Sequence, residues 1–142
     1  IVTGLVGSEM CIRDRTRGDS LTIICWGAMV QKSVEAAQQT SKSDNIIEII
    51  DLRTLNPIDY DTIKDSISKT GKVLVVYEDN LTNGPGAELC SVIADKYFEY
   101  LDGPIKRVAS KDSPVPYNWF LEDDVLVQVS DISNAIKELL EY

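Results

Sequence analysis

Asp51-Leu52-Arg53-Thr54-Leu55-Asn56-Pro57-Ile58-Asp59 turns an apolar strand abruptly into a charged turn and then into a helix. The strand before it, Ile46-Ile47-Glu48-Ile49-Ile50, is β-branched apart from Glu48, a composition that suits a pleated, half-buried surface. Asp51 leaves that strand two residues before Arg53 and is expected to pair with it. Asp59 carries the short acceptor side chain of a helix N-cap, Ile63 and Ile67 make the inner stripe of the helix it opens, and Gly71 is placed to end it. Asp51, Arg53 and Asp59 are therefore read as a structural turn.

Working outward, Leu21 to Trp26 is a short apolar run that stops at Gly27, as a strand covered on both faces would. Val30, Val34 and Ala37 fall at helical spacing directly after it. Lys72 to Tyr77 forms a third strand. A long helix follows the Asn80 to Gly86 loop, with an apolar face running from Leu89 to Leu101 over about four turns. Ile105 to Ala109 is a fourth strand, Ser113-Pro114-Val115-Pro116-Tyr117 is a crossing that cannot continue a ladder, and Ile132, Ala135, Ile136, Leu139 and Leu140 define a last helix. Strands alternating with helices give an α/β fold: a three-layer αβα sandwich on a mostly parallel sheet with right-handed crossovers.

The 142 residues suffice for one core, and no apolar run reaches the roughly 20 residues of a membrane-spanning helix. With 23 acidic against 14 basic residues the net charge is -9, which disfavours nucleic acid and favours basic partners or simple solubility, with acids that solvate helix faces the plainer reading on charge alone. There is no histidine, so the commonest general base and metal ligand is missing. Cys25 and Cys90 read as small buried hydrophobes, without the spacing of a zinc or redox pair.

Residues 1–16 stand apart. Val6-Gly7-Ser8-Glu9-Met10-Cys11-Ile12-Arg13-Asp14-Arg15 resembles a translated sequencing-adapter tract and shows no sustained period. Residues 1–16 are expected to be a structureless artefact, residues 17–142 the domain, and the chain a truncated gene product.

Three constellations invite chemistry. Gly84-Pro85-Gly86-Ala87-Glu88 lies between a strand and a helix N-terminus, where backbone N–H groups can hold an anion, but it lacks the third small residue of a dinucleotide fingerprint. Asp51, Glu78 and Asp79 gather at the C-terminal edge of the sheet, where paired carboxylates can hold Mg or move protons; the simpler reading is that Asp51 pairs with Arg53 while Asp59 caps a helix. Glu122-Asp123-Asp124 are consecutive, so their side chains diverge, and a solvated turn is expected. No catalytic, cofactor-binding or metal-binding residue is assigned.

Several stretches together resemble the beta subunits of thiamine-diphosphate-dependent 2-oxo acid dehydrogenases of the pyruvate and branched-chain type, in their transketolase-like C-terminal domain. The opening segment resembles "IDLRTLxPxD". Leu21 to Val30 resembles the first strand and turn. Thr70 to Glu78 with Gly84 to Glu88 resembles "TGRLVVVHE...GGFGAE", Tyr100 to Val108 resembles "YLDAPVKRV", and Pro114 to Tyr117 resembles "TPVPY". Two departures stand out: Tyr77 replaces the usual histidine, and Asn83-Gly84-Pro85-Gly86 the usual Gly-Gly-Phe-Gly. The resemblance implies an oxidoreductase subunit whose thiamine diphosphate and Mg are bound elsewhere in the intact enzyme, leaving this piece inactive alone.

The same resemblance implies as partners an alpha subunit, a second beta subunit and the basic peripheral subunit-binding domain of the lipoamide acyltransferase, met by Asp102 and the terminal carboxylate of Tyr142. The compartment implied is the bacterial cytoplasm or the mitochondrial matrix. It also implies a five-stranded sheet with an antiparallel first strand just before Arg17; since the adapter-like tract sits there, that edge strand is expected to be missing, with the Ile46 to Ile50 strand left open and prone to associate. Two alternatives stay open: a free-standing module that binds a small anion on the Gly84 to Glu88 loop, and the matching domain of transketolase or of a 2-oxo acid:ferredoxin oxidoreductase.

Overall fold

The computed structural model describes residues 12–40 and 46–142. Five strands, β1 (Ile12–Thr16), β2 (Leu21–Cys25), β3 (Ile47–Leu52), β4 (Val73–Asn80) and β5 (Lys106–Ser110), form one sheet in the order β1-β3-β2-β4-β5. Neighbours from β3 to β5 are parallel. The helices are α1 (Met29–Thr40), α2 (Tyr60–Thr70), α3 (Pro85–Lys96), α4 (Trp119–Val125) and α5 (Val129–Glu141), with a single 3-10 turn at Phe98–Tyr100.

The two-residue period of the strands sorts the core into two layers. Leu21, Ile23, Cys25, Ile47, Ile49, Leu74 and Val76 face α1 and α5, where they meet Met29, Ala36, Ile132, Ile136 and Leu139. Ile24, Ile50, Val73, Val75 and Tyr77 face the other way, onto Ile63 and Ile67 of α2 and Leu89 and Ile93 of α3. The three-layer α/β arrangement read from the sequence is the one observed. Thr22 and Glu48 share the α2 face, and their polarity is absorbed locally: the Thr22 hydroxyl bonds the Ser66 and Thr70 hydroxyls at 2.7 Å each, and Glu48 forms an ion pair with Lys69.

The sheet corrects one expectation. The antiparallel edge strand thought to be missing is present as β1, which pairs with β3 from Ile12↔Leu52 to Thr16↔Ile49, with an irregularity between Asp14 and Thr16. Thr16 also donates its hydroxyl to the Ile47 carbonyl at 2.8 Å. Strand pairing is satisfied by backbone groups that every residue but proline carries, so a polar stretch with one apolar residue can close an apolar edge. The β3 edge is therefore covered. Of the stretch expected to be structureless, residues 1–11 lie outside the described residues and Ile12–Thr16 is a strand.

Smaller corrections follow the chain. β4 runs through Glu78 and Asp79 to Asn80. The four-turn helix expected after the Gly84 loop ends at Lys96; Tyr97 leaves helical geometry at φ -125°, and the apolar stripe continues on the 3-10 turn. Glu122, Asp123 and Asp124, expected in a turn, lie within α4.

Candidate functional site

The Asp51–Asp59 segment is a turn held by its own polar groups. Asp51 is buried at the end of β3, with Arg53 Nε 3.8 Å from its carboxylate. Thr54 donates its hydroxyl to the Pro57 carbonyl at 3.1 Å across a cis Asn56–Pro57 bond. Asp59 then accepts from the Thr62 N–H at 3.1 Å and the Thr62 hydroxyl at 2.9 Å, the side-chain cap that satisfies orphan donors of α2. At the far end Gly71 takes φ +69°, the left-handed conformation that a Cβ disfavours, and its N–H returns to the Ile67 carbonyl at 2.8 Å. These groups are committed to the turn and the helix.

The Gly84 to Glu88 loop is occupied by protein. The ring of Tyr77, fully buried, lies so close under Gly84 and Gly86 that a Cβ on Gly86 would run into it. On its other side the ring stacks on Trp26, with centroids 5.5 Å apart and planes 13° apart. Pro85 opens α3 without an N–H to offer, and the Ala87 N–H is spent on the Gly84 carbonyl at 2.9 Å. The glycines therefore serve close packing against an aromatic ring.

Arg107, which the sequence reading did not single out, braces this corner. Its guanidinium donates to the Leu81 carbonyl at 2.8 Å and reaches the Tyr77 hydroxyl at 3.4 Å. Burial raises the Tyr77 phenol above its ordinary value, against the lowering effect of Arg107, and burial pushes the Cys90 thiol up to about 11. A thiol so disposed stays protonated at neutral pH and is a poor nucleophile. Asp112 is the opposite case: bonds from the Thr82 hydroxyl and N–H hold its carboxyl below the usual range. Among the described residues no group of three acids or cysteines is arranged to hold a metal ion, so Asp51, Glu78 and Asp79 do not assemble into one site.

Asp102 and Tyr142 both adjoin Gly103, the first in the chain and the second in space. Asp102 is exposed, its N–H donates to the Gly71 carbonyl at 2.7 Å, and its carboxylate lies over the Cα of Gly71. The Tyr142 ring, 74% exposed, rests on Gly103: a Cβ placed there would be 3.0 Å from the ring. The two residues are 40 apart in sequence, and Tyr142, directly after α5, packs on the residue that follows Asp102.

A four-stranded parallel sheet, an antiparallel edge strand and a glycine loop packed on a buried ring describe an αβα domain. The chain belongs to the transketolase C-terminal domain family, described as "Transketolase, C-terminal domain", whose sequence pattern matches residues 11–132. Within that family it is similar to "Pyruvate dehydrogenase E1 component subunit beta" of Rickettsia bellii, 41% identical over 123 residues that make up 86% of this chain and 38% of that protein. The mitochondrial counterpart of Dictyostelium discoideum is 38% identical over 124 residues, 87% of this chain and 35% of that protein. This chain thus spans well under half the length of these relatives. Among solved structures, "Split gene transketolase, inactive beta4 tetramer" superposes with a TM-score of 0.76 at 23% identity, over 92% of this chain and 42% of that one, a likeness of fold.

Proposed function

We propose that the chain is the C-terminal assembly and docking domain of the beta subunit of a 2-oxo acid dehydrogenase of the pyruvate dehydrogenase type. On this reading the intact enzyme decarboxylates a 2-oxo acid on thiamine diphosphate and passes the acyl group to lipoamide, in the bacterial cytoplasm or the mitochondrial matrix. The alpha subunit, a second beta subunit and the subunit-binding domain of the acyltransferase are its partners. Among the described residues no helix is long and apolar enough to cross a membrane.

The observation that carries the docking part is that Asp102 and Tyr142 fall on one exposed patch, around Gly103. An exposed carboxylate and an exposed aromatic ring on either side of Gly103 would offer a basic partner both a charge and an apolar face, and the net charge of -9 steers such a partner toward the chain. Thiamine diphosphate and Mg fit poorly here, because the glycine loop is filled by Tyr77 and the helix behind it starts with a proline. No step of the reaction is assigned to these residues: the chain's part is to position other subunits, and alone it is inactive.

Titration of the chain with the isolated subunit-binding domain tests the reading. Asp102→Lys lowers the affinity roughly tenfold and flattens its salt dependence. Wild-type protein that does not bind the domain, or Asp102→Lys binding as wild type does, would overturn the docking role, and 2-oxo acid decarboxylation by the chain alone would overturn its inactivity.

A further inference from the structure

Six asparagines occur in the chain, five of them among the described residues, and Asn83 is the one followed by glycine. An asparagine amide is labile when the next backbone nitrogen can reach its Cγ, and glycine, with no side chain to obstruct that approach, allows it best. The structure sorts the asparagines by this criterion. Asn56 precedes Pro57, which has no N–H to lose. Asn80 precedes Leu81, whose N–H is held by the Ser110 carbonyl at 3.1 Å. Asn118 accepts the Phe120 N–H on its Oδ1 at 3.0 Å, and Asn134 lies inside α5, where the helical ladder engages the next N–H. Asn83 is exposed, its side chain makes no hydrogen bond to the described residues, and it leads into Gly84.

The architecture forces this pairing. Asn83 takes φ +58°, the left-handed region that asparagine tolerates better than most residues with a side chain. Gly84 has no room for a Cβ, which would overlap the Asn80 carbonyl and come within 2.8 Å of the Tyr77 ring. A turn residue and a packing residue, each fixed by its own surroundings, therefore stand together as an Asn-Gly pair.

We propose that Asn83–Gly84 is a site of spontaneous deamidation in the folded chain. The Gly84 nitrogen gives up its proton and attacks the Asn83 Cγ; a succinimide ring closes, and the side-chain amide leaves as ammonia with that proton. Water then reopens the ring. Attack at Cγ restores the ordinary backbone and leaves aspartate, whereas attack at the Asn83 main-chain carbonyl leaves isoaspartate, whose main chain runs through the side-chain methylene. The net exchange is one water in and one ammonia out, without a redox partner. The site is independent of the docking reading.

The two products differ in what they do to the loop. Aspartate adds one negative charge just ahead of α3, where the helix dipole favours it. Isoaspartate lengthens the backbone by one methylene between fixed points. Upstream the Leu81 N–H is held by Ser110 and the Thr82 N–H by Asp112 at 2.9 Å; downstream Gly84 is seated against Tyr77. That product therefore loosens the start of α3 and the packing beneath it. The same fixings set the pace: the ring contains the Cα–C bond of Asn83, so closure needs freedom at ψ, and the Thr82–Asp112 clamp restricts it.

The test incubates the full folded chain at neutral and at mildly alkaline pH and follows each asparagine by peptide mass spectrometry with fragmentation. Asn83 converts roughly tenfold or more faster than Asn56, Asn80, Asn118 and Asn134, forms both products, and converts faster at the higher pH because the attacking nitrogen must lose its proton. Asp112→Ala, and the milder Thr82→Val, release the clamp and speed the conversion severalfold. In urea titrations Asn83→Asp keeps the wild-type midpoint, and chain carrying isoaspartate falls below it. Conversion at Asn83 no faster than at the other four overturns the proposal, as does conversion confined to urea-unfolded chain. Asn83→Gly keeps the left-handed torsion and abolishes the reaction; undiminished release of ammonia from it overturns the assignment to Asn83. A rate indifferent to both clamp variants, or equal midpoints for the two products, overturns the part given to the loop.

Discussion

Replacing Gly86 with alanine sets two effects of opposite sign against each other. Gly86 lies in the first turn of α3 and has no left-handed torsion to protect, so helix propensity alone makes Gly86→Ala stabilising by about 0.5–1 kcal/mol. The added Cβ, however, overlaps the Tyr77 ring at three of its carbon atoms. The ring cannot retreat, being fully buried and stacked on Trp26, with its hydroxyl tied to Arg107 and the Leu81 carbonyl. Overpacking of this kind costs about 1–3 kcal/mol, and the steric term wins.

The net expectation for Gly86→Ala is a loss of about 1–2 kcal/mol, or a melting temperature lower by roughly 3–8 °C for a chain of this size. Urea unfolding followed by far-UV circular dichroism measures it. Tyr77→Leu, which removes the rigid ring, makes the alanine tolerable, so a double-mutant cycle returns a favourable coupling of about 1 kcal/mol or more. A Gly86→Ala protein as stable as wild type, or a cycle without coupling, would refute the account of the glycine loop as a ring cradle and reopen it as an anion site.

Two further outcomes follow from buried polar groups. The hydroxyls of Ser33 on α1 and Ser133 on α5 are buried without a hydrogen-bond partner among the described residues, so Ser33→Ala and Ser133→Ala are neutral or stabilising by up to about 1 kcal/mol in urea titrations; a loss of that size in either would reveal a partner for the hydroxyl. Burial raises Cys90, to about 11 from 9.0, and also Tyr60, Tyr77 and Tyr97. A raised acid binds its proton more tightly in the folded state, so its contribution is fully present below the unfolded value and is lost as pH rises through the folded one. Stability therefore declines from about pH 9 toward 11, and Cys90→Ala makes that decline shallower; identical pH profiles for the two proteins would argue against the raised thiol of Cys90, which is half-buried and not fully buried as its sequence suggested.

What could be seen in the sequence depended on the range of the interaction. β2, β3 and β4 are runs of buried β-branched and apolar residues, and α2 has its cap, stripe and terminal glycine in the chain itself, so local pattern was enough. β1 escaped because Ile12-Arg13-Asp14-Arg15-Thr16 has one apolar residue and its pairing lies in backbone groups that do not depend on side chains. The break at Tyr97 escaped because the apolar period continues into Phe98, Tyr100 and Leu101, although Phe98 points to solvent. α4 was hidden by its acids and by the lack of any core-facing period. The glycine loop was judged against a nucleotide fingerprint, whereas its partner is a ring seven residues upstream. The packing of Tyr142 on Gly103, next to Asp102 in the chain, was invisible for the same reason, since the path of α5 decides it.

Gly71 ties two properties of this domain to a single backbone torsion. It stops α2, its carbonyl receives the Asp102 N–H, and the Asp102 carboxylate rests on it where any other residue would put a side chain. Any substitution at Gly71 must therefore shift Asp102 as well as strain the end of the helix. If Asp102 docks a partner as proposed, a mutational scan scored by partner binding would rank Gly71 among the contact residues while it touches no partner, and a scan scored by stability alone would pass over the displaced carboxylate. Only the two scores side by side would separate a residue that meets the partner from one that aims it.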